Sequence, residues 1–424
     1  MTDQGTAPDG RRRLSTKEAA ESLGVKPETV YAYVSRGQLS SRRGPGARGS
    51  TFDPEEVEAL ARRNRREPAA STAADDLSVR TRITLIDGGR YYFRGVDAAE
   101  LALAHSYEEV AEWLWTGVLR PGIGFTAPRD TVSAARRAVN ALPEHSGPMD
   151  RLRVAAIAAG SADPLRFDLS EEAVIGTART LIPTLVTALP PVLPGHRDEG
   201  GLARRLWARL SGVDPDEASL HALDTALALL VDHDLAASTL AVRVAASARA
   251  HPYAAVSAGL GVLEGPLHGA ASGLAHRMLL DVLDRGSASP VVADELRAGR
   301  RVPGLGHRLY RGEDPRAQAL FGLLKAVPKA GPALAAARDV VATTARHTDL
   351  RANVDLALAV LTASCGMPAE AGETIFAVAR TAGWMAHALE EYDERPLRMR
   401  PSGQYVGPRP PQPPPAPAPS PGQG

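Results

Sequence analysis

Three histidines sit in settings that suit a ligand better than a core. His307 lies in "VPGLGHRLYRGEDPRAQ" (302–318), His268 in "EGPLHGAASG" (264–273) and His233 in "LVDHDLAAST" (230–239). Glycine precedes His307 and follows His268, which permits close backbone approach by a bound molecule. Asp355 stands in "RANVDLAL" (351–358), Arg311 and Arg316 follow His307, and Arg380 and Arg400 lie further on. A carboxylate can remove a weakly acidic proton, and a neutral histidine can donate a hydrogen bond to the developing enolate oxygen. Arginines hold carboxylates bidentately. That set of groups fits a condensation on an anionic substrate. A metal centre is the rival, because Asp232, His233 and Asp234 offer ligands. No two histidines stand i,i+4 apart, which weakens that rival without closing it.

The elements that must position these groups are helical. Apolar residues make up 44% of the 424, aromatics only 4%, so Ala, Leu and Val supply most of the core, a composition that favours packed helices over sheets. In 106–117, Val110, Trp113 and Leu114 share a face and Gly117 is a stop signal. In 371–392, Ile375, Val378, Ala379 and Ala382 recur at three- and four-residue steps. The Trp113/Trp115 pair reads as core packing, and His276 and His387 as structural. One hairpin is expected, around Asp87-Gly88-Gly89.

The 49 basic and 49 acidic residues balance, so the whole chain is no polyelectrolyte binder. One cysteine, Cys365, excludes an internal disulfide and a cysteine-based metal cluster. The chain has no apolar run of membrane-spanning length and no apolar leader-like stretch at its start, so a cytoplasmic protein without membrane contact is expected.

Residues 1–13 read as disordered, 14–63 as a compact unit, 64–78 as a linker and 408–424, rich in proline, as a disordered or polyproline-like tail. In 14–63, Ser15 or Thr16 can cap a first helix with Glu18 early in it, Gly24-Val25 forms a turn, and Pro27 suits the start of a second helix. A third helix begins near Asp53-Pro54. Four arginines and no acid lie between Arg36 and Arg48, a local phosphate-binding charge. This unit resembles the winged helix-turn-helix domains of the MerR and excisionase type. The resemblance implies DNA contact through the second helix and the following loop, with Tyr31, Tyr33, Arg36, Arg42 and Arg43 as candidates. A helical domain used for protein contacts is the alternative.

The remainder resembles citrate synthase, including 2-methylcitrate synthase. The motifs are "ITLIDGGRYYFRGVDAAELA" (83–102), "PMDRLRVA", "DHDLAAST", "GPLHGAASG", "PGLGHRLYRGEDPRA", "NVD" and the closing "FAVARTAGWMAHALEEY…MRPSGQYVG", in the family's order across about 79–407. The resemblance implies a mainly α chain with a large domain (79–267 and 363–407) and a small domain (268–362), working as a homodimer. It also implies condensation of acetyl-CoA or propionyl-CoA with oxaloacetate, with no cofactor beyond the acyl-CoA substrate. In that family's terms His268 stabilises the enolate, Asp355 is the base and His307 polarises the oxaloacetate carbonyl. His233, Arg316, Arg380 and Arg400 hold oxaloacetate, Arg400 across the dimer interface, and Arg311 contacts CoA phosphate. The chain departs from the family pattern at Asp234, Ala236 and Ser272 and at Leu356–Leu358 after "NVD". Two further readings stay open: a metabolite-sensing DNA-binding regulator built on the same domain, and the reverse cleavage of a citryl-CoA-like ester.

Overall fold

A computed structural model of the chain describes residues 13–35, 39–42, 50–66, 79–195, 198–265, 268–310, 312–400 and 406–409. Two compact units result, one before Arg80 and the other spanning Arg80–Arg400.

The first unit has three helices, Thr16–Leu23, Pro27–Ser35 and Pro54–Arg66, with a three-stranded antiparallel sheet in which Thr51–Phe52 lies between Leu14–Ser15 and Ser41–Arg42. Ser15 caps the first helix in a reciprocal capping box with Glu18, and Gly24 closes it in the left-handed region at φ 66°. Ala19, Ala20, Val30, Leu39, Phe52, Val57 and Leu60 form its core. Tyr31 is exposed, but Tyr33 packs half-buried against that core, which corrects the expectation that both tyrosines remain open to a partner. Arg42 is exposed on its strand. Arg36 and Arg43 lie outside the described residues.

The second unit opens with the expected hairpin. Thr84–Asp87 pairs with Arg90–Phe93, and Val96–Asp97 adds a short third strand. The two-residue turn Gly88-Gly89 has positive φ at both positions, as a right-twisting hairpin requires. Fifteen helices follow among the described residues. Trp115 is buried and stacks on Phe125 at 5.4 Å, and Trp113 packs partly buried on the same core.

The helix Ala371–Asp393 is the organising element. It packs against Glu171–Ala188, Ala237–Ser247 and Pro252–Leu263, and it is buried along most of its length. Tyr107 and Trp115 anchor it by donating to the carbonyls of Val378 and Ala382, at 3.1 and 2.9 Å. Arg380, Gly383 and His387 recur at i, i+3 and i+7, so they share one face. That face meets the turn 230–233. Arg380 Nε donates to the Leu230 carbonyl at 3.0 Å, and His387 Nε2 lies 3.3 Å from Asp232 Oδ1. Gly383 sits where a Cβ would come within 2.2 Å of the Val231 carbonyl oxygen, so only glycine allows this approach.

Candidate active site

The site is assembled from loops that precede helices. The segment 302–310 is stitched to 351–353 by the Gly306 N–H donating to the Arg351 carbonyl (2.7 Å), the Asn353 N–H to the Gly304 carbonyl (3.0 Å) and Asn353 Nδ2 to the Gly306 carbonyl (2.9 Å). Gly304 has φ 76°, and a Cβ there would stand 2.8 Å from the Leu356 side chain. Asn353 also caps the helix Val354–Ser364, accepting from the Asp355 and Leu356 N–H groups. One asparagine therefore sets the His307 loop and the Asp355 helix relative to each other.

Asp314 is a second strut. It caps the helix Pro315–Leu324, with proline at the first helical position, and it pairs bidentately with Arg316 at 3.0 and 2.7 Å. Its Oδ2 also accepts from the Val354 N–H at 3.1 Å. The Asp-Pro pair ahead of an apolar run is the sequence signal for this cap, but nothing local foretells the link to residue 354.

His268 begins the turn into the helix Ala271–Arg285, and its Nε2 lies 2.8 Å from Ser238 Oγ. Ser238 is a contributor that the residue pattern did not single out. Gly269 is confined by the Leu263 carbonyl, 2.4 Å from where a Cβ would sit. His233 follows Asp232, which is fully buried and accepts from Thr84 at 2.5 Å. The metal reading needs the Asp232 carboxylate facing a ligand, whereas it does not line the cavity that His233 lines: its Oδ2 accepts from Thr84 and its Oδ1 lies 3.3 Å from His387 Nε2. Among the described residues no group of three His, Cys, Asp or Glu stands close enough to hold a metal ion. His276, as expected, is structural: it is buried and bonded to Thr362 at 2.7 Å.

His233, His268, His307, Arg316, Asp355 and Arg380 line one cavity of about 810 Å³, a size that suits an organic ligand. Leu235, Ala236, Ala237, Val262 and Phe376 supply its apolar wall. Arg400 is exposed and does not line this cavity. Arg311 lies outside the described residues. Tyr310, which the residue pattern does not single out, is buried with its hydroxyl 2.7 Å from His233 Nε2.

The electrostatics separate the groups by task. Burial, then the neighbouring Arg316 and Arg380, holds His233 well below the usual imidazole range. Burial and Arg380 lower His268 as well. Burial and Arg316 push His307 down to about 4, against an opposing pull from Asp314. All three imidazoles are thus neutral near pH 7. The Leu309 N–H donates to His307 Nδ1 at 3.1 Å, so its ring hydrogen sits on Nε2, a donor for a ligand oxygen. Asp355 moves the other way. Burial raises its carboxyl to about 6, with Arg316 opposing. Burial lowers Arg380 to about 10, and its Nη2 is buried without a hydrogen-bond partner among the described residues. An orphan guanidinium N–H beside neutral donors and one carboxylate makes this an anion site with a built-in base.

Comparison with known proteins agrees with this geometry. Residues 74–402 match the family described as citrate synthase, C-terminal domain, and residues 13–65 match a helix-turn-helix domain. A citrate synthase of Haloferax volcanii is 32% identical, with 78% of this chain and 94% of the relative covered. A 2-methylcitrate synthase of Mycobacterium tuberculosis is 28% identical over 74% of this chain and 84% of its own. The citrate synthase of Thermoplasma acidophilum, solved as a ternary complex with carboxymethyl coenzyme A and oxaloacetate, shares the fold. Its TM-score is 0.68 at 24% identity, with 80% of this chain and 97% of that chain covered.

Proposed function

The chain belongs to the citrate synthase family, and we propose that its cavity condenses oxaloacetate with acetyl-CoA to citrate or with propionyl-CoA to 2-methylcitrate. It is an enzyme of the citrate synthase type, which needs no cofactor beyond the acyl-CoA that it consumes. One observation carries the assignment of roles: three neutral imidazoles, one carboxyl of raised proton affinity and two buried guanidinium groups line a single cavity.

In this reading Asp355 takes a proton from the acyl α-carbon while His268 donates a hydrogen bond to the thioester oxygen, which gains enolate character. The α-carbon then attacks the keto carbon of oxaloacetate, and the keto oxygen receives the hydrogen bond and then the proton from His307 Nε2. His233, Arg316 and Arg380 hold the carboxylates, with Arg400 serving the site of a second copy in a homodimer and Arg311 meeting CoA phosphate. Water finally hydrolyses the citryl thioester, releasing CoA. His233 and Arg380 belong to the large domain (79–267 and 363–407), and His268, His307, Arg316 and Asp355 to the small domain (268–362), so closure of one on the other would tighten the site.

The test is an acyl-CoA panel. With oxaloacetate present, CoA release followed with a thiol reagent should exceed the Asp355→Ala control for acetyl-CoA or propionyl-CoA. The ratio of the two kcat/KM values decides between citrate and 2-methylcitrate. No release above the control with either ester would sink the assignment.

The helix-turn-helix match supports a second partner, duplex DNA, for the N-terminal unit, through Tyr31, Arg42 and, outside the described residues, Arg36 and Arg43. The relatives' names do not favour the metabolite-sensing regulator as the main function. A gel shift of the full chain on its upstream DNA should show binding that weakens steeply with salt. Affinity equal to that for random duplex at every salt concentration would remove DNA from the list of specific partners.

A further inference from the structure

Three rings close on one another at the cavity wall, with His233 and His307 lining it and Tyr310 outside its lining. His233 and His307 lie 5.0 Å apart edge-on, His307 and Tyr310 4.9 Å apart, and His233 and Tyr310 5.5 Å apart. The Arg316 guanidinium stands 5.9 Å from the Tyr310 ring. Tyr310 is 4% exposed and does not line the cavity, yet its hydroxyl reaches His233, whose tautomer no backbone N–H among the described residues sets. Leu309 settles the tautomer of His307. For His233 the only polar partner among the described residues is the Tyr310 hydroxyl, at Nε2.

That partnership has a consequence for anion binding. A carboxylate is an acceptor only, so a histidine that holds one must present an N–H. Neutral His233 has a single N–H, and burial beside Arg316 and Arg380 keeps it neutral. If that hydrogen occupies Nε2, Nδ1 offers a lone pair and repels a carboxylate. If Nε2 accepts a hydrogen bond, the hydrogen must be on Nδ1. Burial raises the Tyr310 phenol far above its usual range, so the hydroxyl keeps its hydrogen and can donate.

We propose that Tyr310 is a positioning residue for the keto acid: its hydroxyl donates to His233 Nε2 and so fixes the N–H of His233 at Nδ1, where it can bind a substrate carboxylate. This rests on the reading of His233 as an oxaloacetate ligand. Tyr310 touches no substrate and acts wholly through His233. The role also explains a tyrosine at this point in a loop rich in Gly, Pro and charged residues. It must fill the space behind two imidazoles and carry one polar atom to a buried ring nitrogen.

The test is a double-mutant cycle in the full chain with the acyl-CoA that proves active. Tyr310→Phe keeps the ring and removes the donor. It should raise the KM for oxaloacetate by roughly three- to tenfold, the worth of one hydrogen bond, with little change in kcat or in the KM for the acyl-CoA. In a His233→Ala background the same change should have no further effect. The ring nitrogens of ¹⁵N-histidine-labelled protein give an independent signature. His233 should show a protonated Nδ1 and an unprotonated Nε2 in the parent and a mixture of tautomers in Tyr310→Phe. An unchanged oxaloacetate KM in Tyr310→Phe, an equal effect in both backgrounds, or a parent His233 protonated at Nε2 would overturn the proposal. If His233→Ala itself leaves the oxaloacetate KM unchanged, the assignment of His233 falls first and Tyr310 with it, a result distinct from failure of the tautomer argument alone.

Discussion

Asp355→Asn should lower kcat by about 10³-fold, within the range of a lost general base, while making the folded protein more stable at pH 7. Both effects come from one cause. Burial raises the Asp355 carboxyl to about 6, which makes it a stronger base than an exposed aspartate and penalises its charge. The carboxylate accepts no hydrogen bond among the described residues, although its own N–H is tied to Asn353. The sign of the stability effect follows from the raised proton affinity of the folded state. Below pH 3.8 the group is protonated whether folded or not. As pH rises from 3.8 to about 6 the unfolded chain ionises first, so this group's contribution to stability is lost across that window. Above it the penalty is complete, on the order of 1–3 kcal/mol. Asparagine has no charge to bury, so its thermal midpoint at pH 7 should exceed that of the parent, and the gap should shrink toward pH 4. The parent's kcat/KM should rise with pH through about 6, the value for Asp355, as the base ionises. A variant that retained more than a tenth of the parent kcat would remove Asp355 from the base role. A lower midpoint at pH 7 would show that its carboxylate is stabilised by contacts rather than penalised.

Arg316→Leu and Arg380→Leu should each raise the KM for oxaloacetate by about 10²-fold or more, as expected when a buried charge partner of a carboxylate is removed. They should part company on stability. Arg316 pairs with Asp314 at 2.7 Å, and Asp314 is 1% exposed. Leucine at 316 leaves that carboxylate buried without its ion partner, at a cost of about 3–5 kcal/mol. It also loosens the strut to the Val354 N–H, and with it the placement of Asp355. At Arg380 the guanidinium already holds a buried Nη2 without a partner, so leucine removes an unsatisfied donor along with the bond to the Leu230 carbonyl. The net loss there should be about 1 kcal/mol. Denaturation midpoints measured beside oxaloacetate KM values decide this. Equal destabilisation by the two substitutions would mean that Arg380 is held more strongly than by the Leu230 carbonyl and the Phe376 ring, 4.6 Å from its guanidinium.

Much of this was legible in residue order. The Ser15 and Asp53-Pro54 helix starts, the Gly88-Gly89 turn and the Gly117 stop are local matters, decided by capping groups and permitted φ values within a few residues. His268, His307, Arg316 and Asp355 stand in glycine-rich or capped segments, whereas His233 and Arg380 have no such local mark and are singled out by the family resemblance. Tyr33 differs from Tyr31 because it stands two residues on, turned away from it, and three residues after the buried Val30, so it packs half-buried against the core. Ser238 and Tyr310 act through partners remote in the chain, and Asp314, legible as a cap, is remote only in its bond to the Val354 N–H.

Residue order therefore narrowed the chemistry open to the chain, since the types of side chain and their local turns are properties of short segments. Convergence, protonation and the partner of His233 belong to the tertiary structure. Arg380 reaches the Leu230 carbonyl across 150 positions of chain, and His233 meets Tyr310 across 77. The neutral imidazoles and the raised Asp355 follow from desolvation and from guanidinium groups brought alongside. Burial and charge proximity are sums over everything that packs around a site, and no local segment contains them.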